Sequence, residues 1–179
     1  MKTYIGLLGL ALLGACSSDN GQNLKVDDKT ITANDFESIA GWNNDPTTLD
    51  RGRAHSGQYA IKVDGNHEFS TTFDMPLALA SSKKFNTVLL EGWAYLPSDK
   101  STGMLGIQIL DPNNPGKEIF GDGIRLGEVV KEYKKWVPVS KEFKLPDNIN
   151  ATQHIRMSLW RADASDFVLV DDVKISIKE

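Results

Sequence analysis

From Ile31 to Ile177 apolar and polar residues alternate in short runs, and clusters of turn formers separate the runs. Gln58 to Asp64, Val88 to Leu96, Met104 to Leu110, Trp136 to Leu145, His154 to Arg161 and Phe167 to Ile177 each read as a strand. Ile31 to Glu37 is a first strand candidate. Glu68 to Asp74 is expected to pair with Gln58 to Asp64 as a hairpin across Gly65-Asn66. Lys117 to Phe120 and Gly123 to Leu126 are expected to flank a Gly121-Asp122-Gly123 turn. A short helical turn fits Gly127 to Tyr133. No stretch keeps the period of an amphipathic helix over several turns.

Period-two patterning says that each strand buries one face and wets the other. On His154 to Trp160 the inward set is Ile155, Met157 and Leu159; on Met104 to Leu110 it is Leu105, Ile107 and Ile109. Asp111-Pro112-Asn113-Asn114-Pro115-Gly116 is a loop, because its prolines forbid a central strand. The expected fold is all-β, a β-sandwich of about nine strands. The chain has 179 residues, and residues 30–179 form a single domain large enough for a substantial core. Its net charge of −4 argues against nucleic acid, which requires a basic face.

The N-terminus does not belong to that domain. Lys2 precedes a short apolar segment from Ile5 to Leu13, and Leu13-Gly14-Ala15-Cys16 closes it. The segment is well short of the ~20 apolar residues of a bilayer span. It fits a signal-peptide core followed by small residues. The run resembles the lipobox of bacterial lipoprotein precursors. That resemblance implies removal of residues 1–15, a diacylglycerol thioether on Cys16 and an acylated α-amino group. Stable anchoring takes more than one acyl chain, and palmitate-type chains on Cys16 satisfy this. Removing Lys2 takes the net charge from −4 to −5. Residues 16–29 are read as the lipidated cysteine and a flexible tether to the outer membrane, with display at the cell surface or toward the periplasm both open. Cys16 is the only cysteine, so lipidation leaves no thiol for a disulfide, a metal site or a nucleophile.

Four pieces of the domain occur in a recognisable order. Asp35-Phe36-Glu37 is followed by Gly41-Trp42, then by His55-Ser56-Gly57-Gln58-Tyr59-Ala60. Trp136 opens a strand ending Phe143-Lys144-Leu145-Pro146, and the chain closes on Val168-Leu169-Val170-Asp171-Asp172-Val173. This resembles the carbohydrate-binding modules of the galactose-binding-like jelly-roll group. The resemblance implies a jelly roll and a non-catalytic glycan-binding function. It also implies one structural calcium ion between the first and last strands, on Glu37 and Asp171 with carbonyls from Gly52 to Gly57. Calcium is a hard ion that takes six to eight oxygens, which suits such a set. The competing reading leaves both carboxylates at sheet edges in water. Asp172, pointing to the opposite face, is the weaker ligand. His55-Ser56-Gly57 is read as structural, with Gly57 allowing a positive φ.

Glycan recognition uses flat aromatic surfaces for the apolar face of a pyranose and polar side chains for its hydroxyls. By parity Arg156, Ser158 and Trp160 share an outer face, as do Glu91, Trp93 and Tyr95, and Gln108 lies outward on its own strand. Were these strands neighbours, Trp160, Arg156, Gln108, Trp93, Tyr95 and Glu91 would line one concave surface. Against this stand readings of Trp93 and Trp136 as core residues, of Trp42 as a cap on the sandwich, and of an Arg156–Glu91 surface bridge. The expected function is binding of a polysaccharide or glycoconjugate at the envelope, with degradation left to a partner enzyme. The alternative is a structural or adhesion module docking an envelope protein. A hydrolase using Glu91 and Asp122 has no motif to pair them.

Overall fold

A computed structural model describes residues 24–42, 45–115 and 117–178. Cys16 and the signal segment lie outside the described residues. The strands are β1 Thr30–Asn34, β2 Leu49–Arg51, β3 Tyr59–Val63, β4 Phe73–Pro76, β5 Thr87–Tyr95, β6 Met104–Leu110, β7 Glu118–Arg125, β8 Trp136–Lys144, β9 His154–Trp160 and β10 Val168–Ile177. Between them lie a 3-10 turn, Pro46–Thr48, and two short α-helical turns, α1 Leu77–Ala80 and α2 Leu126–Val129.

The strands form two antiparallel sheets. The larger runs β2-β3-β10-β5-β8, with β1 also paired to β10; the smaller runs β4-β9-β6-β7. β10 is long enough to hold β3 along its first half and β1 along its second. The core lies between the sheets and follows the period-two pattern. Leu105, Ile107 and Ile109 on β6 and Ile155, Met157 and Leu159 on β9 are fully buried, facing Val88, Leu90 and Ala94 of β5 and Val168, Val170 and Val173 of β10. Each such side chain contributes about 1.5–3 kcal/mol by leaving water. At the rim Asp122 on β7 accepts from Lys141 on β8 at 2.9 Å and bridges the outermost strands of the two sheets.

Three local expectations are corrected. The hairpin across Gly65-Asn66 does not form. Asp64 and His67 make only an isolated bridge, and the chain crosses there to the smaller sheet, where β4 pairs with β9. Alternation on both sides of a turn signal fixes which face is buried but not which strand is the partner. Gly121-Asp122-Gly123 is not a turn either; β7 runs straight through it, paired with β6. A Cβ on Gly121 would sit 2.4 Å from Glu118 Oε1 and one on Gly123 would sit 2.6 Å from Met104 Cγ, so these glycines mark close approach. The helical turn comes one residue earlier and is shorter than Gly127 to Tyr133.

Of the readings for the tryptophans, the cap at Trp42 and the outward parity of Trp93 hold, and the core readings of Trp93 and Trp136 do not. Trp42 is buried between Phe36 and Phe73, as a cap on the sandwich. Trp93 and Trp136 are not in the core. They stand half-buried on the outer face of the larger sheet, on the opposite side of their strands from Val88, Leu90, Val139 and Phe143.

Candidate functional site

The outer faces of the two sheets are built alike and finished differently. On the larger sheet, cross-strand pairing places Trp93 beside Asp171 and Pro138, Tyr95 beside Leu169 and Trp136, and Glu91 beside Lys174 and Ser140. The segment that follows β2 lies over this surface. The His55 ring stacks on Trp93 with centroids 3.8 Å apart and planes 12° apart. Arg53 sits over the Phe167 ring at 4.5 Å. The N-terminal segment adds to the cover: Leu24 lines the space beside Glu91 and Trp93, and Lys174 Nζ donates to the Lys25 carbonyl at 2.7 Å.

Carboxylates hold that covering segment in place. Asp171 Oδ2 accepts from the backbone N–H of His55 at 2.7 Å and of Ser56 at 3.1 Å, while Asp171 Oδ1 accepts from the N–H of Asp172 at 2.7 Å. Asp172 accepts from the Ser56 hydroxyl at 2.7 Å and contacts His55 Nδ1 at 2.5 Å. A bulge in β10, where Asp172 has φ 48°, aims both acids at the segment. Glu37 lies beyond the end of β1, and its Oε1 accepts from Gln58 N–H at 2.6 Å and Tyr59 N–H at 2.9 Å. It packs where a Cβ of residue 57 would stand, and Gly57 has φ +58°, so only glycine fits there. Burial pushes the Asp171 carboxyl up to about 7, with the adjacent Asp172 charge adding to it, against the pull of the N–H bonds from Ser56, Asp172 and His55.

This arrangement does not fit a calcium ion between Glu37 and Asp171. Calcium requires a shell of oxygens, whereas the covering segment presents backbone N–H groups to both carboxylates. Among the described residues no three His, Cys, Asp or Glu side chains group as a metal site. As they stand, the acids clasp the segment directly.

Among the described residues no segment is clasped over the smaller sheet as one is over the larger. The register of the smaller sheet lays out parallel rows across the strands. Asp74, Arg156, Gln108 and Gly121 form one row, and Ser158, Gly106 and Gly123 the next. Trp160, Met104 and Arg125 form a third, extended by Phe69, which bridges to Trp160 outside the strands. Gly106 and Ser158 in the middle row form a floor, while the Met104 side chain lies over Gly123. The Phe69 and Trp160 rings flank the floor, nearly parallel at 12° with centroids 6.1 Å apart. Phe69 is 52% exposed, unusual for a large apolar ring. Trp160 Nε1 donates to Glu68 at 3.3 Å, Gln108 Nε2 to Glu118 at 2.5 Å, and Arg156 Nε to Asp74 at 2.9 Å. Phe69, Met104, Gly106, Gln108, Ser158 and Trp160 line one continuous groove with Arg125 and Glu118 at its side. Aromatic rings beside oriented polar groups suit a ligand with both apolar faces and hydroxyls.

The six residues expected on one surface therefore split. Trp160 and Gln108 line the groove, and Arg156 stands next to Gln108 on the same outer face. Trp93, Tyr95 and Glu91 lie on the other sheet, on the far side of the sandwich, because β5 pairs with β8 and β10 and not with β6 or β9. Arg156 pairs with Asp74, not Glu91. Glu91 and Asp122, weighed as catalytic carboxylates, stand on different sheets. Sequence reading missed Phe69, Asp74, Glu68, Arg125 and Glu118. The outward parity of Asp74 was available, but its partner strand was not.

Jelly-roll carbohydrate-binding modules share this fold. The chain superposes on the CBM22-1 xylan-binding domain from Paenibacillus barcinonensis Xyn10C with a TM-score of 0.52 and 16% identity, over 83% of this chain and 94% of that one. For the C-terminal family 22 module of Clostridium thermocellum Xyn10B the values are 0.53 and 14%, over 84% and 94%. A family 16 carbohydrate-binding module matches with a TM-score of 0.52 and 16% identity, over 86% and 99%. No protein-family model matches the chain, and no curated protein sequence matches it.

Proposed function

We propose that this protein is a non-catalytic, lipid-anchored module that binds a polysaccharide or glycoconjugate at the bacterial envelope, through the groove on the smaller sheet. The observation that carries the reading is the exposed Phe69–Trp160 pair beside the fixed polar row of Asp74, Arg156 and Gln108. The rings offer apolar surface to the CH face of a sugar, and the polar row offers hydrogen bonds to its hydroxyls. Solved modules of the same fold include xylan-binding ones, which makes a glycan the first ligand class to test. The chain provides binding; cleavage of the glycan falls to a partner enzyme.

The anchor rests on Cys16 and the lipobox-like run before it. An acylated cysteine at the outer membrane turns the domain into a receptor displayed on a tether. Labelled palmitate should enter the full chain in cells and be lost in Cys16→Ser.

A glycan array probed with the full chain tests the binding itself. We expect binding to a restricted set of polysaccharides, weakened about tenfold or more by Trp160→Ala, since central aromatics dominate such interfaces. No binding across a broad array would sink the reading.

A further inference from the structure

One end of the groove carries a second feature. Thr72, Asp74, Leu110, Pro112, His154 and Arg156 line a pocket beyond the aromatic pair. Asp74 is its organising group. On β4 it stands directly opposite Arg156 and diagonal to His154 of β9. One oxygen accepts from Arg156 Nε at 2.9 Å, and the other contacts His154 Nδ1 at 2.5 Å. Both oxygens of Asp74 are thereby engaged.

The geometry of the guanidinium is informative. Asp74 uses Nε and leaves the two terminal nitrogens without a hydrogen bond among the described residues, on a side chain 43% exposed. An ion pair that served only to join β4 to β9 would be expected to engage the fork in bidentate fashion. Here the fork is held by its base, on a residue that lines the pocket. A guanidinium has no acceptor. A sugar hydroxyl is both donor and acceptor, whereas a carboxylate accepts only and matches a planar fork in two parallel bonds. Leu110 and Pro112 add apolar wall, which limits competition from water.

We propose that this pocket is a subsite for an acidic sugar, in which Arg156 grips the carboxylate of a uronic acid residue while Asp74 and His154 orient it. The proposal rests on the glycan-binding reading of the same groove and narrows its ligand class. Arg156 and Trp160 are four residues apart on β9, about 14 Å at the usual strand rise. The ligand is then an oligosaccharide, with one ring on the Phe69–Trp160 pair and the acidic residue farther along.

The test pairs each acidic glycan with its carboxyl-reduced counterpart. Oligogalacturonides, glucuronoxylan fragments and alginate fragments are titrated calorimetrically against the full chain, each beside the same oligosaccharide with its carboxyls reduced to primary alcohols. At least one acidic form should bind about tenfold or more tightly than its reduced partner, the usual scale for a charge-assisted bidentate pair. Added salt should narrow that ratio. Arg156→Gln should bring it near one and Arg156→Lys should leave it intermediate. Because the ratio is taken within each variant, partial unfolding affects both ligands equally and does not mimic the result. Equal affinity for acidic and reduced forms would overturn the subsite and leave glycan binding standing. Tighter binding of a sulfated neutral glycan than of any uronate would overturn the carboxylate assignment. Absence of all glycan binding on the array removes the parent reading, and the subsite with it.

Discussion

Trp93 and Trp160 both stand half-buried on the outer face of a strand and each lines a depression with polar residues close by, yet their surroundings are finished differently. Trp93 lies under the His55 ring, with Leu24 alongside. Trp160 lies beside the exposed Phe69 ring, at a groove whose floor includes Gly106 and Ser158. The difference does not come from either tryptophan. It comes from what happens between β2 and β3, where Asp171, Asp172 and Glu37 hold a loop against one face, while among the described residues no comparable segment lies over the other. One outer face of the sandwich thus carries a clasped cover that the other lacks among the described residues.

The comparison is most easily broken at the clasp. Asp171→Ala removes the acceptor for three backbone N–H groups in a fully buried position. We expect a loss of roughly 3 kcal/mol in urea unfolding, because the donors are left unsatisfied. A loss below about 0.5 kcal/mol would mean that the cover is not held by this residue.

Exchanging the tryptophans sharpens the contrast. Trp93→Ala should destabilise by about 2 kcal/mol through lost stacking and a cavity under His55, and glycan binding should persist. Trp160→Ala should change stability by only about 0.5 kcal/mol while abolishing most of the binding. The reverse pattern, with binding lost in Trp93→Ala, would relocate the ligand to the larger sheet.

The crossover between the two sheets has its own pH signature. At Asp64 burial alone would raise the pKa, but bonds from Asn66 N–H, His67 and Lys62 outweigh it and hold the carboxyl at about 2. The folded value lies below the ordinary 3.8, so the stabilisation is complete above that pH and is lost as pH falls toward 2. It amounts to about 2 kcal/mol at most. Melting curves between neutral pH and pH 2 should show a shallower acid loss in Asp64→Asn, and identical slopes would exclude this contribution.

The smallest expected effect is none at all. A chelator should leave the melting temperature unchanged, because hydrogen bonds accepted by Glu37 and Asp171 already fasten the cover. A clear drop in chelator, absent in Glu37→Ala, would place a calcium ion in the clasp.

Much of this fold could be read from alternation alone. β5, β6, β8, β9 and β10 fall where the apolar runs predict, and the inward sets of β6 and β9 are buried as their parity requires. The short β2 was missed because Leu49–Arg51 is too brief to show a period. Gly121 and Gly123 misled because glycine marks both turns and places where a neighbour comes close, and spacing does not distinguish them. In the site, Trp160, Arg156 and Gln108 were legible as outward residues. Phe69 and Asp74 were not placed there, because their segment was assigned to a hairpin with the wrong sheet.

What the sequence determined by itself is which side of each strand meets water, since that depends only on the alternation of residues along one chain. It also carried the lipobox-like run ending at Cys16. Only the tertiary structure decided which outer face carries the clasped cover. That outcome depends on long-range pairings, β5 with β8 and β10 against β6 with β9, and on a clasp between His55 and Asp171 across 116 positions. Such contacts form between segments whose local patterns carry no record of each other.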